Sequence, residues 1–219
     1  MAVITISRHY GSGGRTIAAR VCELLGYRYL DKHLLVKAAL ETGLSPSEML
    51  EFREESPKAR SFIERLLMPG PPAAAEIAVR TPANDEPETT TLEMLDSEKC
   101  RALVLRAIHA EYQNGNAVIV GRGGQAVLQG LPGVMHVLVQ ASLPARILRI
   151  QQMDGLGMEQ AYHSALDHDR VTTRYLDRVF GVRWEDPMLY HVQLNTSALS
   201  VEQAAQIIAH AARVACPPS

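Results

Sequence analysis

The pattern of hydrophobic and polar positions begins with a short run of mostly β-branched residues. Residues 2–7, Ala-Val-Ile-Thr-Ile-Ser, predict a buried strand. A glycine-rich turn occupies 11–14, and apolar residues then recur at helical spacing over 16–25. Residues 27–30 predict a second short strand, which ends at Asp31. The order strand, glycine-rich loop, helix and strand is typical of the start of a nucleotide-binding α/β sheet.

The middle of the chain is predicted to be helical and to contain one exposed loop. Residues 32–68 show helical patterning, and a second long helix is predicted over 92–112. Between them, residues 69–91 contain five of the chain's 12 prolines, mixed with Ala, Glu and Thr. Such a segment has too few large apolar side chains to form a core, so we predict an exposed, mobile loop.

The C-terminal half repeats the alternation of strands and helices. Strands are predicted over 117–120, 134–139 and 190–194. Helices are predicted over 142–153, 159–178 and 200–214. Because crossovers between successive parallel strands are right-handed, five such strands predict an α/β fold with a parallel sheet covered by helices on both faces.

Composition narrows the class of protein further. The 219 residues are 47% hydrophobic and carry a formal net charge of -2, which favours one α/β domain, with or without a small inserted lobe. A general nucleic-acid or membrane-surface binder is usually basic, so neither is expected. No apolar run approaches ~18 residues, which excludes a membrane span. The three cysteines lie far apart, so a reducing cytoplasm is the expected location. We expect a monomer or a homodimer.

The strongest candidate for chemistry is the glycine-rich loop between the first strand and the first helix. Glycines let backbone N–H groups turn toward an anion, and the N-terminus of the helix adds a partial positive charge. Arg15 places a permanent cation beside them. The predicted phosphate-binding residues are Gly11, Ser12, Gly13, Gly14, Arg15 and Thr16.

The loop departs from the standard P-loop pattern G-x-x-x-x-G-K-[ST]. Aligned on Gly13, the lysine position holds Gly14 and the Ser/Thr position holds Arg15. Shifted by one residue, Arg15 replaces the lysine and Thr16 becomes a magnesium ligand. The first glycine is absent in both alignments. A dinucleotide loop is the alternative, with Asp31 as the ribose contact, but its third glycine would fall on Thr16. We therefore favour a phosphate loop.

Two further groups of arginines are candidates. Arg122, in Gly-Arg-Gly-Gly after the third strand, stands where the ligand crevice of an open sheet lies. The second group lies in the two helices that follow the fourth strand. Arg170, Arg174 and Arg178 repeat every four residues and share one helical face. Arginines on one face either stabilise a transferring phosphoryl group or form a solvated surface, and spacing alone does not decide between the two.

Four segments together resemble the cytidylate kinase-like family, a branch of the P-loop nucleoside monophosphate kinases. They are Ile-Thr-Ile-Ser-Arg-His-Tyr-Gly-Ser-Gly-Gly-Arg, Leu-Gly-Tyr-Arg-Tyr-Leu-Asp-Lys, Val-Ile-Val-Gly-Arg-Gly-Gly and Asn-Thr-Ser-Ala-Leu-Ser. The resemblance implies a three-layer P-loop core, an inserted lobe that binds the monophosphate, and a lid. The expected boundaries are 1–31 and 113–219 for the core, 32–112 for the lobe and about 150–185 for the lid. It also implies ATP and Mg²⁺ on the donor side and CMP or dCMP as acceptor.

The resemblance also assigns roles to individual residues. Gly11, Ser12 and Gly13 match the loop that holds the donor phosphates. Asp31 matches an acidic residue near the acceptor and the metal, and Arg122 matches an arginine that contacts the nucleoside monophosphate. The residues that fall where true kinases carry acceptor and lid groups are Arg146 or Arg149, Asp169, Arg170 and Arg174. Gly14 stands where the authentic cytidylate kinases have Lys, and Gly123 where they have Asp.

These observations predict a phosphotransferase that moves a phosphoryl group from ATP to a nucleoside monophosphate. We expect Arg15 to replace part of the missing lysine's charge and Thr16 or Asp31 to hold Mg²⁺. Arg170, Arg174 and Asp169 would act on the transferring group from the lid. Two alternatives are a non-catalytic nucleotide or phosphate sensor with the same fold and an NAD-type binding domain.

Overall fold

A computed structural model describes residues 2–31, 102 and 104–216. The chain divides into two compact units, Met1–Lys32 with Ile108–Ser219, and His33–Ala107. The predicted loop 69–91 and most of the predicted insertion lie outside the described residues. Among the described residues, no helix combines the length and hydrophobicity needed to cross a membrane.

The described elements alternate between strands and helices. The strands are β1 (Val3–Arg8), β2 (Arg28–Leu30), β3 (Ala117–Val120), β4 (Val134–Gln140) and β5 (Val192–Asn195). The helices are α1 (Gly14–Leu25), α2 (described over 104–114), α3 (Gly124–Val127), α4 (Leu143–Asp154), α5 (Met158–Phe180) and α6 (Val201–Ala215), and a 3₁₀ turn spans Pro187–Leu189.

All five strands form one parallel sheet in the order β2-β3-β1-β4-β5. Val3 of β1 lies opposite Ala117 on one side and Val134 on the other. The predicted five-stranded parallel sheet is therefore confirmed, and with its helices it is the α/β P-loop fold. In the Rossmann order β1 lies next to β2. Here β3 lies between them, which weighs against the NAD-type alternative.

The alternation of side chains along the strands builds a core on each face of the sheet. Ile4 and Ile6 face α1 and α6, where they pack with Ile17, Val21 and Ile208. The opposite face carries a second cluster that fixes the end of α5 against β4, formed by Leu138, Leu176, Trp184, Leu189 and Tyr190. Because both faces are covered, the ligand crevice is left at the carboxyl ends of the strands, where β1 lies between β3 and β4.

Several boundaries differ from those predicted. The last strand begins at Val192 rather than 190, because Tyr190 closes the 3₁₀ turn with a backbone bond to Pro187. Helix α5 continues to Phe180 and ends at Gly181, which adopts the left-handed conformation of a C-cap. Helix α3 was not predicted, since four residues are too few to show a helical period.

Candidate functional site

The loop that joins β1 to α1 is fixed from three sides. Gly11 and Gly13 have φ values of 77° and 80°, which favour glycine. A Cβ atom on Gly11 would lie 2.8 Å from the carbonyl oxygen of Arg146, so α4 packs directly against this backbone. The Ser12 hydroxyl donates to the backbone carbonyl of the residue three positions earlier at 2.8 Å. The Thr196 hydroxyl donates to the Ser12 carbonyl at 2.7 Å. The loop is therefore preorganised.

Helix α1 leaves its positive end open for an anion. Its N-cap is Gly13, which makes no side-chain hydrogen bond to the first turn, and the first turn holds no acidic residue. Thr16 is exposed in that turn. Unsatisfied N–H groups and the helix dipole together favour phosphate at such a position. The predicted loop residues therefore lie together at the N-terminus of α1, where the first turn of the helix contains no acidic residue.

Three arginines and one carboxylate of the described chain surround this end of the sheet. Arg15 pairs with Asp31 across 3.3 Å, with 60% of the Arg15 side chain exposed and 14% of the Asp31 side chain exposed. Burial lowers the pKa of Arg8, and the neighbouring charges of Arg15 and Arg122 lower it further. Arg8, Arg15 and Arg122 therefore lie close together at this edge of the sheet, an arrangement that suits an anionic ligand.

The turn after β3 holds Arg122 in an unusual backbone conformation. Gly121, Arg122 and Gly123 have φ values of 78°, 57° and 73°, all in the left-handed region. For the arginine this costs about 1–2 kcal/mol. A Cβ atom on Gly123 would overlap the ring of Phe180, so glycine is required there for packing as well. Strain on a charged residue at the ligand edge of a sheet supports a functional role for Arg122.

The predicted acceptor residues on α4 have partners within the protein. Arg146 is buried and forms an ion pair with Asp169 across 2.6 Å. It also donates to the carbonyl oxygens of Tyr10 at 2.7 Å and Ala165 at 3.2 Å. Arg149 donates to the hydroxyl and carbonyl of the residue that follows β5. The structure thus uses Arg146 and Arg149 to join α4 to α5, the first loop and the end of β5.

The predicted lid arginines lie on exposed surface. Arg170 pairs with Asp167 across 2.8 Å, three residues earlier in the same helix. Arg174 lines a surface pocket with Trp184 and other residues of the segment that follows α5. Asp169 is the predicted lid residue that, among the described contacts, pairs with Arg146, whose side chain contacts the first loop.

Aromatic residues that the sequence analysis did not identify connect the segment after α5 to β1. The indole N–H of Trp184 donates to the Ser7 hydroxyl at 2.8 Å, and the Tyr190 hydroxyl donates to the Trp184 carbonyl at 2.7 Å. The His9 ring packs edge-on against Trp184, and burial lowers the pKa of His9. The available signal was composition, since Trp184 is the single tryptophan of the chain.

The two residues predicted to hold magnesium have side chains of a kind that suits this ion. Thr16 and Asp31 offer the hard oxygen ligands that Mg²⁺ prefers, and Mg²⁺ commonly completes its shell with water and substrate phosphates. Within the described part of the chain, no group of three or more His, Cys, Asp or Glu side chains could hold a metal ion.

Comparisons with known proteins agree with this fold. A sequence profile of the cytidylate kinase-like family matches residues 3–198. The cytidylate kinase of Aeropyrum pernix is 26% identical over 95% of this chain and 97% of its own length. That of Staphylothermus marinus is 25% identical over 95% and 94%. A solved structure of an uncharacterized protein from Eubacterium ventriosum has a TM-score of 0.67 at 15% identity, covering 97% of this chain and 98% of that one.

Proposed function

Because the chain belongs to the cytidylate kinase-like family, we propose that it transfers a phosphoryl group from ATP to CMP or dCMP. Family and fold support the broader class, a nucleotide kinase-like phosphotransferase. The observation that carries the proposal is the arrangement at the carboxyl end of β1. There an open helix N-terminus lies close to Arg8 and Arg15 and to the strained Arg122.

The first loop forms the donor side of the proposed site. The backbone N–H groups of residues 11–14 would bind the ATP phosphates. Thr16 and Asp31 would hold Mg²⁺, with Arg15 orienting the Asp31 carboxylate through their ion pair. When bound, the ion neutralises part of the triphosphate charge. Phosphoryl transfer requires mainly positioning and charge neutralisation from the protein, and this loop supports both.

Arg122 and the lid form the acceptor side of the proposal. Arg122 would bind the monophosphate, whose oxygen attacks the γ-phosphorus as the bond to the β-phosphate oxygen breaks. Arg170 and Arg174 would approach the transferring group from α5. The helix pair would be held in register with the first loop by Arg146, Arg149 and Asp169. A cytoplasmic location completes the proposal.

A coupled assay of ADP release tests this function directly. The purified chain is supplied with ATP, Mg²⁺ and CMP, dCMP, UMP or no acceptor, and each reaction is repeated with EDTA. We expect release that depends on a cytidine monophosphate and is abolished by EDTA. ATP binding without release under any of these conditions would replace the proposal with a nucleotide sensor, an alternative that the missing loop lysine keeps open.

A further inference from the structure

We propose that Arg8, the last residue of β1, supplies the positive charge that a standard P-loop supplies from its lysine. This role for Arg8 rests on the proposed donor site and replaces the one that the sequence suggested for Arg15. Three independent features lead to it, namely the spacing of the loop, the contacts of the Arg8 side chain and the distribution of charge around it.

The spacing places Arg8 and Gly14 at two defined positions of the P-loop pattern. In G-x-x-x-x-G-K-[ST], the second glycine comes five residues after the first, and the lysine comes next. With Gly13 as the second glycine, Arg8 occupies the first-glycine position and Gly14 occupies the lysine position. The chain therefore has a cation where the pattern has glycine, and glycine where the pattern has a cation.

The structure brings these two positions into contact. A Cβ atom on Gly14 would lie 2.6 Å from the Arg8 Cβ and 2.9 Å from its Cγ. A Cβ atom on Gly121 would lie 2.7 Å from the Arg8 Nη1. The side chain of Arg8 thus passes over the first residue of α1 and ends beside the turn after β3. Both glycines are needed because Arg8 fills the space that their side chains would take.

The charges around Arg8 also favour a role in binding an anion. Burial lowers the pKa of Arg8, and the attraction of Tyr29 and Asp31 offsets this only in part. Within the described residues, no carboxylate lies within ion-pair distance of Arg8, whereas Arg15 is mostly exposed and already paired with Asp31. A guanidinium stays ionised even when it is largely buried, so it needs an anion to offset its desolvation. A polyphosphate beside the open end of α1 provides one.

An arginine can do the work of the lysine from this position. Its planar group offers several N–H donors in a fixed fork, which matches two phosphate oxygens at once. A lysine ammonium is a compact point charge on a flexible stem. Moving the cation from position 14 to position 8 keeps the stem of its side chain in contact with the first residue of α1 and places the guanidinium beside the turn after β3. The expected ligands are the β- and γ-phosphates of the donor.

Titration calorimetry with ATP, ADP, AMP and tripolyphosphate tests the assignment. Arg8→Gln is compared with Arg15→Gln and with a control variant, Arg20→Gln. Arg20 lies in α1, as Arg15 does, and it pairs with two glutamates. We expect Arg8→Gln to weaken binding of ATP and tripolyphosphate ~30–100-fold and of AMP less than ~3-fold. Arg20→Gln should change each affinity less than ~3-fold. Arg15→Gln should weaken binding of ATP and tripolyphosphate less than Arg8→Gln does, because Arg15 acts only through its exposed ion pair with Asp31.

An exchange variant separates a charge effect from a folding effect. Gly14→Lys alone should bind ATP poorly, because its Cβ collides with Arg8. Adding Arg8→Gly should restore affinity to within ~5-fold of wild type, since the lysine then has the space and the charge has returned. Wild-type ATP affinity in a folded Arg8→Gln variant, or a larger loss in Arg15→Gln, would overturn the assignment. Wild-type protein that binds ATP through Arg8 but transfers no phosphoryl group would refute the proposed function and leave the assignment standing.

Discussion

The two regions that flank the first loop both contain arginines, and they use them in opposite ways. In the helix junction, formed by Tyr10, Arg146 and Asp169, the guanidinium has three partners inside the protein. In the turn pair, formed by Arg8 and Arg122, arginine charges repel one another and the backbone of Arg122 is strained. The difference teaches that an arginine with several partners inside the protein holds a loop in place, whereas arginines that lie close to one another at the ligand edge of a sheet suit an anionic ligand.

The strongest test of this comparison is Arg146→Met. Removing one partner of a buried ion pair leaves Asp169 charged and unpaired, which costs about 3–5 kcal/mol of unfolding free energy. The effect should be large because the Asp169 Oδ1 already has no hydrogen-bond partner among the described residues. Urea unfolding measures it. Adding Asp169→Asn removes the stranded charge and should recover part of the loss. An unchanged midpoint in Arg146→Met would mean that the junction does not depend on this pair.

Arg122→Ala should have the opposite profile. We expect it to weaken binding of the acceptor monophosphate by ~2–4 kcal/mol, since a charge-assisted contact is lost, with little effect on ATP affinity. The free energy of unfolding should fall less than in Arg146→Met, because the substitution also removes a like-charge contact with Arg8. Calorimetry with CMP and ATP, together with urea unfolding, gives the three values. Weakening of ATP binding with unchanged CMP binding would place Arg122 on the donor side instead, and equal weakening of both would contradict a role specific to the acceptor.

Gly123→Ala tests whether packing in the turn after β3 requires glycine at this position. The new methyl group overlaps the Phe180 ring and sits at a φ of 73°, so we expect a loss of about 2–3 kcal/mol of unfolding free energy. Gly181→Ala is the matched control, because Gly181 has a φ of 64° and a Cβ atom placed there would have no described neighbour within 4 Å. It should lose only about 1 kcal/mol. Equal losses would show that Phe180 yields and that packing against it is unimportant.

The Gly123 result bears on the aspartate that the family resemblance implies at this position in cytidylate kinases. The Cβ atom of an aspartate at 123 would overlap the Phe180 ring, so Phe180 at the end of α5 requires glycine at position 123. Adding Phe180→Ala to Gly123→Ala should therefore recover the packing part of the loss and leave the conformational part.

Local patterns along the chain predicted much of the fold. The β-branched run before Gly11 and the helical spacing after it predicted β1, the loop and α1, and the parallel sheet was confirmed. The partners of Arg146 could not be predicted in the same way, because helical spacing shows that residues share a face but not what covers that face. Tyr10, which accepts from the Arg146 side chain, is 136 residues away in sequence.

The role of Arg8 could not be predicted from local patterns either, and the reason is related. Its side chain lies against both Gly14 and Gly121, which are over a hundred residues apart and come to the same end of the sheet only when β1 and β3 pair. The loop pattern showed that a lysine was missing, and the nearest cation along the helix was Arg15. Three-dimensional proximity, rather than distance along the sequence, points to Arg8 as the replacement.

The smallest change in stability is expected for Arg170→Ala. Arg170 and Asp167 form an exposed pair three residues apart, and such pairs contribute less than about 0.5 kcal/mol. A cation that reaches the transferring group from the lid contributes only during turnover. We therefore expect unchanged urea unfolding and unchanged ATP affinity, with kcat lowered at least ~10-fold. Arg178→Ala is the control, because Arg178 lies on the same helical face two turns further along α5. Equal losses of kcat in both variants would indicate a general effect of charge on α5. Wild-type kcat in both would contradict the lid role and leave Arg170 as a solvated surface residue, held by Asp167 alone among its described partners.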